Sequence, residues 1–159
     1  MDSMIRLQKI LCSVDFSESS LEALKYATHL ALNEGATLYL IHIVDSRIYD
    51  YGGPIYEPET STIAPVIDQT SMDRLKDKLL EEVAKELQDK VETIISFGVP
   101  FVEIIKAAKD NDIDLIVMGT HGRSGIAHIM LGSVSEKVVR KAPCPVLTVR
   151  QSGHKFVMP

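Results

Sequence analysis

The chain has 159 residues, 45% of them hydrophobic and 25% charged, which is the composition of one ordinary globular domain large enough to bury a core. Its formal net charge of -5, with no Lys/Arg cluster to offset it, argues against a nucleic-acid binder held by phosphate contacts, and no apolar stretch is long enough to span a bilayer. Residues 1–8 lack the apolar core of a signal peptide, so the cytoplasm is the expected compartment.

Lys9 to Val14 is a short apolar run that ends at Asp15 and reads as a buried strand. Ser17 is placed to cap a helix whose apolar positions, Leu21, Leu24, Ala27 and Ala31, recur at helical spacing. Gly35 stands where a helix C-terminal residue is expected. Thr37 to Val44 is a second β-rich run, too continuously apolar for a strand with one wet face. From Asp45 to Thr70 the pattern is lost. Gly52, Gly53, Pro54, Pro58 and Pro65 exclude long regular structure there, and Tyr49, Tyr51 and Tyr56 lie between them. A loop of this length inside a compact domain is a functional or disordered segment rather than a plain connector. Met72, Leu75, Leu79, Val83 and Leu87 then mark an amphipathic helix with a charged, solvated outer face. Glu92 to Phe97 is a third strand, closed by Gly98. Pro100 suits the first position of the next helix, whose apolar stripe is Phe101, Ile104, Ile105 and Ala108. Ile113 to Met118 is a fourth strand. A glycine loop follows, then a short helix from Val134 to Lys141, ended by Pro143, and a last strand from Pro145 to Arg150.

The order β-α-β-α-β-α-β-α-β, with strands apolar on both sides, predicts a single-domain α/β fold: a parallel sheet covered by helices on both faces. The domain spans residues 1–152, with a variable loop at 45–70 and a tail at 153–159. Such sheets bind ligands beyond the C-terminal strand ends, where the strand order reverses; Asp15 and Gly119 stand at those ends. The two cysteines, Cys12 and Cys144, are too few for a disulfide framework. With His29, His42, His121, His128 and His154 they show no zinc-ligand spacing. His42, in a buried strand, reads as a satisfied core histidine.

The segment Gly119-Thr-His-Gly122-Arg-Ser-Gly125-Ile-Ala-His-Ile-Met-Leu-Gly132-Ser133-Val-Ser135-Glu136 carries the chemistry. Glycines let a ligand approach the main chain closely. Ser133 with Glu136 three residues later predicts a capping box and hence a helix N-terminus, whose free N–H groups favour anions. The loop offers these donors, the hydroxyls of Ser133 and Ser135, and the cation of Arg123, either as a phosphate contact or as a solvated side chain. From the chemistry alone a phosphate site and a plain structural connector stand level. Neither G-x-x-x-x-G-K-[ST] nor G-x-G-x-x-G occurs.

Gly119-x2-Gly122-x9-Gly132-Ser133 resembles the nucleotide-binding signature of the universal stress protein family, in its ATP-binding branch. The resemblance runs through nearly the whole chain, including Asp15-Phe-Ser-Glu-Ser, Ile41-His-Ile-Val44, Gly98-Val-Pro100, Asp114-Leu-Ile-Val-Met-Gly and Pro143-Cys-Pro-Val-Leu-Thr-Val. It implies a Rossmann-like, adenine nucleotide alpha hydrolase-like sheet of order 3-2-1-4-5 that binds ATP with Mg2+ or Mn2+. By the same resemblance Asp15, with Ser13 and Val14 beside it, faces the ribose or phosphates. Ile43 meets the adenine through its backbone, Met118 and Gly119 line the ribose, and Gly122, Gly132, Ser133, Val134 and Ser135 cradle the phosphates. Asp15 and Ser133 are the candidate metal contacts. A homodimer through the last strand, residues 145–150, is implied as well. The function expected is a nucleotide-dependent regulatory switch in stress response, with a slow Mg-dependent ATP hydrolase as the alternative. AMP or another adenine nucleotide remains a candidate ligand. An ATP pyrophosphatase is disfavoured, because residues 13–17 lack the glycines of its phosphate loop.

Overall fold

The apolar runs form five strands, β1 (Lys9–Ser13), β2 (Thr37–Asp45), β3 (Val91–Gly98), β4 (Leu115–Gly119) and β5 (Val146–Val149). They are seen in a computed structural model that describes residues 5–46, 68–121 and 131–151. All pairings are parallel and the order is β3-β2-β1-β4-β5, as expected. The helices are α1 (Glu18–Glu34), α2 (Gln69–Glu81), α3 (Pro100–Asp110) and α4 (Ser133–Lys141).

Because side chains alternate along a strand, each central strand feeds two cores. Ile10, Cys12, Leu38, Leu40 and Val117 pack with Ala23, Ala27 and Ala31 of α1 and Leu79 of α2. Leu11, Ile41, Ile116 and Met118 pack with Ile104 and Ala108 of α3 and Val138 of α4. Local signals hold at the helix ends. The Ser17 hydroxyl accepts the Ser20 N–H, and Gly35 closes α1 with φ 66°, a left-handed conformation that glycine adopts without a Cβ penalty. Pro100 opens α3.

The segment expected as one helix through Leu87 divides. α2 ends at Glu81 and a 3-10 turn runs over Lys85–Lys90. Ala84 between them is extended, with ψ 137°. The apolar spacing correctly marks Leu79, Val83 and Leu87 as buried. A continuous helix, however, would overrun the point where the chain must turn to set Val91 beside Leu38. Among the described residues no helix is long and apolar enough to cross a membrane. Tyr49, Tyr51 and Tyr56 lie outside the described residues.

Cys12 and Cys144 are both free thiols. Since β4 separates β1 from β5, two strand spacings of roughly 9–10 Å exceed the ~7 Å Cα limit for a disulfide. Burial pushes the Cys12 thiol up to about 12 and raises that of half-buried Cys144. Because the thiolate is the reactive form, native protein alkylated at pH 8 is expected to label Cys144 first and to protect Cys12. The denatured, unreduced chain should count two thiols. Labelling of both at one rate would contradict the buried position of Cys12.

Candidate functional site

The chain runs from β1 to β2 and β3 on one side, then returns to place β4 on the other side of β1. The strand order therefore reverses between β1 and β4, and in open α/β sheets the C-terminal strand ends at such a switch point are where ligands bind. β1 stops early, at Ser13. The last bond between β1 and β2 runs from the Val14 N–H to the Ile41 carbonyl at 2.9 Å. In a parallel pair every second residue turns its N–H and carbonyl to the same neighbour. Ile43, two residues further on, thus directs both groups past the end of β1, which suits contact with the edge of a base.

The β1–α1 turn is fixed from several sides. Asp15 Oδ1 accepts the Ser17 N–H at 2.9 Å, while Ser17 itself caps α1. Asp15 therefore takes part in the local turn as well as standing at the switch point. Phe16 has φ 63°, a sparsely populated conformation for a bulky residue. Its ring lies 5.1 Å from that of His42, with Lys78 Nζ at 4.0 Å on its other contact. His42 is a core histidine as expected, its Nδ1 2.7 Å from the Val14 carbonyl. Val14 is buried, with its N–H and carbonyl both engaged in the fold.

At the end of β4, Gly119 packs against α1: a Cβ there would fall 2.4 Å from Ser19 Oγ and 2.8 Å from the Ser19 carbonyl carbon and oxygen. Gly132 approaches the same strand end, its N–H donating to the Thr120 carbonyl at 2.7 Å. A Cβ on Gly132 would meet that oxygen at 2.8 Å. Both glycines are thus required by backbone packing. A ligand's approach is not what excludes a side chain at either position.

The capping box does not form. The N-cap of α4 is Gly132, with no side-chain cap bond, and Glu136 pairs with Arg140 at 3.0 Å instead of reaching back. Gly132 takes the cap because its N–H is already drawn onto Thr120, which brings Ser133 one residue inside the helix. The exposed Ser133 hydroxyl is consequently not spent on capping. The Ser135 hydroxyl, expected as a ligand, is buried and donates to the Gly119 carbonyl at 2.8 Å. The first intrahelical bond is Glu136 N–H to the Gly132 carbonyl, 2.9 Å. The N–H groups of Ser133, Val134 and Ser135 precede it and are left as helix-end donors. Half-buried Val134 packs against the core that contains Met118. Gly122, Arg123 and His128 lie outside the described residues.

No group of three or more His, Cys, Asp or Glu able to hold a metal occurs among the described residues. The donors present, one carboxylate and one hydroxyl, fit a Mg2+ that takes most of its ligands from phosphates and water. Sequence reading missed Thr120 and Ser19, both buried at the strand end. No local signal relates Ser19 to Gly119, which lies a hundred positions later in the chain.

The sequence profile of the universal stress protein family matches residues 6–150. Universal stress protein MJ0531 of Methanocaldococcus jannaschii is 37% identical over 144 residues, covering 91% of this chain and 82% of its own. Universal stress protein MJ0577 of the same organism is 33% identical over 165 residues, covering 94% and 98%. The solved structure of MJ0577 matches with a TM-score of 0.73 at 32% identity, over 94% of this chain and 100% of its own. A universal stress protein solved in complex with cAMP matches with a TM-score of 0.61 at 25% identity, over 93% and 100%.

Gly119→Ala is expected to destabilise the fold by about 1–3 kcal/mol in urea unfolding. Ser19→Ala should not rescue it, because the backbone carbonyl at 2.8 Å remains. Full rescue would mean that the hydroxyl is the only obstacle.

Proposed function

The chain belongs to the universal stress protein family, and from that premise we propose that it is an ATP-binding regulatory switch of the stress response. The observation that carries this reading is the set of N–H groups on Ser133, Val134 and Ser135 at the start of α4, on the far side of the switch point from Asp15. Helix-end donors favour a phosphate chain, and the backbone of Ile43 is free to meet the base. The relative crystallised with cAMP supports an adenine nucleotide as the ligand. Asp15 would repel a triphosphate directly, so the reading includes Mg2+ between them, held by Asp15, the Ser133 hydroxyl and phosphate oxygens. Gly122 and Arg123 complete the phosphate loop in this reading. Bound nucleotide then biases the 45–70 segment between two states by its differential affinity for them.

Calorimetry is expected to give micromolar affinity for Mg-ATP, about -8 kcal/mol. Asp15→Ala should weaken ATP more with Mg2+ than in EDTA; equal losses would assign Asp15 to the ribose. Phosphate release under single-turnover conditions should fall below ~1 s⁻¹. Turnover of several per second would favour the ATP hydrolase reading.

We further propose a homodimer through β5, an edge strand whose outer N–H and carbonyl groups can pair with a second copy. Leu147 is exposed, whereas Val149 is buried at 6% exposure, so a charge at Val149 would test stability and not assembly. Leu147→Asp is expected to give monomer by light scattering, and a persistent dimer would move the interface elsewhere.

A further inference from the structure

The β1–α1 turn holds a strain that the binding groups described above do not account for. Phe16, next to Asp15, has φ 63°, a left-handed conformation that a bulky residue keeps only where its surroundings impose it. Those surroundings come from two other elements. The ring of His42, on β2, lies 5.1 Å from the Phe16 ring, and His42 is tied to the end of β1 by its Nδ1, 2.7 Å from the Val14 carbonyl. Lys78, on α2, places its Nζ 4.0 Å from the Phe16 ring centroid, a close cation–π contact.

Phe16 lies inside the hydrogen bond that orients Asp15. Asp15 Oδ1 accepts the Ser17 N–H at 2.9 Å, so the ring closed by that bond runs through the Phe16 backbone. The Asp15 N–H is anchored separately, on Ser20 Oγ at 3.3 Å. If φ of Phe16 returned to the ordinary negative range, the Ser17 N–H would turn away and the carboxylate would lose the donor that orients it. What holds the Phe16 ring therefore holds the Asp15 carboxylate. Of the two holders, His42 is a buried residue of the sheet. Lys78 is exposed, on a helix whose buried residue is Leu79 alone. Elements with few buried contacts open most readily, which makes α2 the adjustable side.

We propose that Lys78 is a positioning residue for Asp15, and that α2 tunes the affinity for metal-bound nucleotide through this one ammonium. The inference rests on the ATP-binding reading, with Asp15 as a contact of Mg2+, and adds to it a control point outside the site.

The test is a double-mutant cycle read by calorimetry with Mg-ATP. Lys78→Met keeps the stem and removes the charge; it is expected to weaken Mg-ATP roughly two- to fivefold, the scale of one exposed cation–π contact. Lys78→Arg, which keeps a cation for the ring, should retain the wild-type affinity, and a loss equal to that of Lys78→Met would overturn the inference. Asp15→Asn keeps an acceptor for Ser17 and removes the carboxylate charge. In that background Lys78→Met should weaken binding no further, because the group it positions is gone. Equal losses in both backgrounds would mean a direct or purely structural effect and overturn the inference. Asp15→Asn at wild-type affinity overturns it as well, since Lys78 would have nothing to position. Phe16→Leu removes the ring and keeps the test alive if Asp15→Asn binds too weakly to measure: adding Lys78→Met to it should again have no effect, and a further loss would show that the ammonium acts elsewhere. Unchanged affinity in Lys78→Met overturns this inference alone and leaves ATP binding standing. A wild type that takes up no ATP would overturn the functional reading and this inference with it.

Discussion

The Thr120 carbonyl sets the geometry of the strand end. It receives the Gly132 N–H at 2.7 Å and lies 3.4 Å from the Ser135 hydroxyl, which also bonds the Gly119 carbonyl at 2.8 Å. Through these bonds the first turn of α4 is docked on the end of β4. The docking requires that no Cβ stand at 132, since it would meet the Thr120 oxygen at 2.8 Å. A second close approach, Gly119 on Ser19 of α1, holds the opposite flank. The helix end and the strand end are thus fixed relative to each other by main-chain contacts that any added side chain would disrupt.

This docking divides the polar groups of the site into two sets. The Gly132 N–H, the Ser135 hydroxyl and both backbone groups of Val14 are used in building the fold. Among the described residues, the exposed Ser133 hydroxyl, the first-turn N–H groups of α4 and the outward edge of Ile43 have no partner. In the proposed nucleotide site, polar groups fixed in this way would meet a ligand without reorganising, which lowers the cost of binding. The early end of β1 matters as much as the helix: one more residue of pairing would cover Ile43.

On the other side of the switch point, the β1–α1 turn carries Phe16 at φ 63°. Conformations of this kind cost of order 1–3 kcal/mol and persist only where the surroundings over-determine them. Here the His42 ring and the Lys78 ammonium supply those surroundings. Lys78 lies on α2, so the turn that bears Asp15 is in direct contact with that helix through the Phe16 ring.

The sequence alone determined the fold class, the doubly buried strands, the Ser17 cap, the Gly35 terminus and Pro100 at the head of α3. Each of these follows from local periodicity or from the conformational preference of one residue, and local physics is legible in a string. Tertiary structure decided the rest. The periodicity at Leu79, Val83 and Leu87 marked burial, but the pairing of Val91 with Leu38 decided where the helix breaks. Ser133 and Glu136 have the spacing of a capping box, yet the pull of Thr120 on Gly132 moved the cap by one residue. Ser135 looked like a ligand until its burial against Gly119 claimed the hydroxyl. In each case the deciding contact joins groups whose relative placement depends on strand order and helix docking, and no local preference encodes that placement.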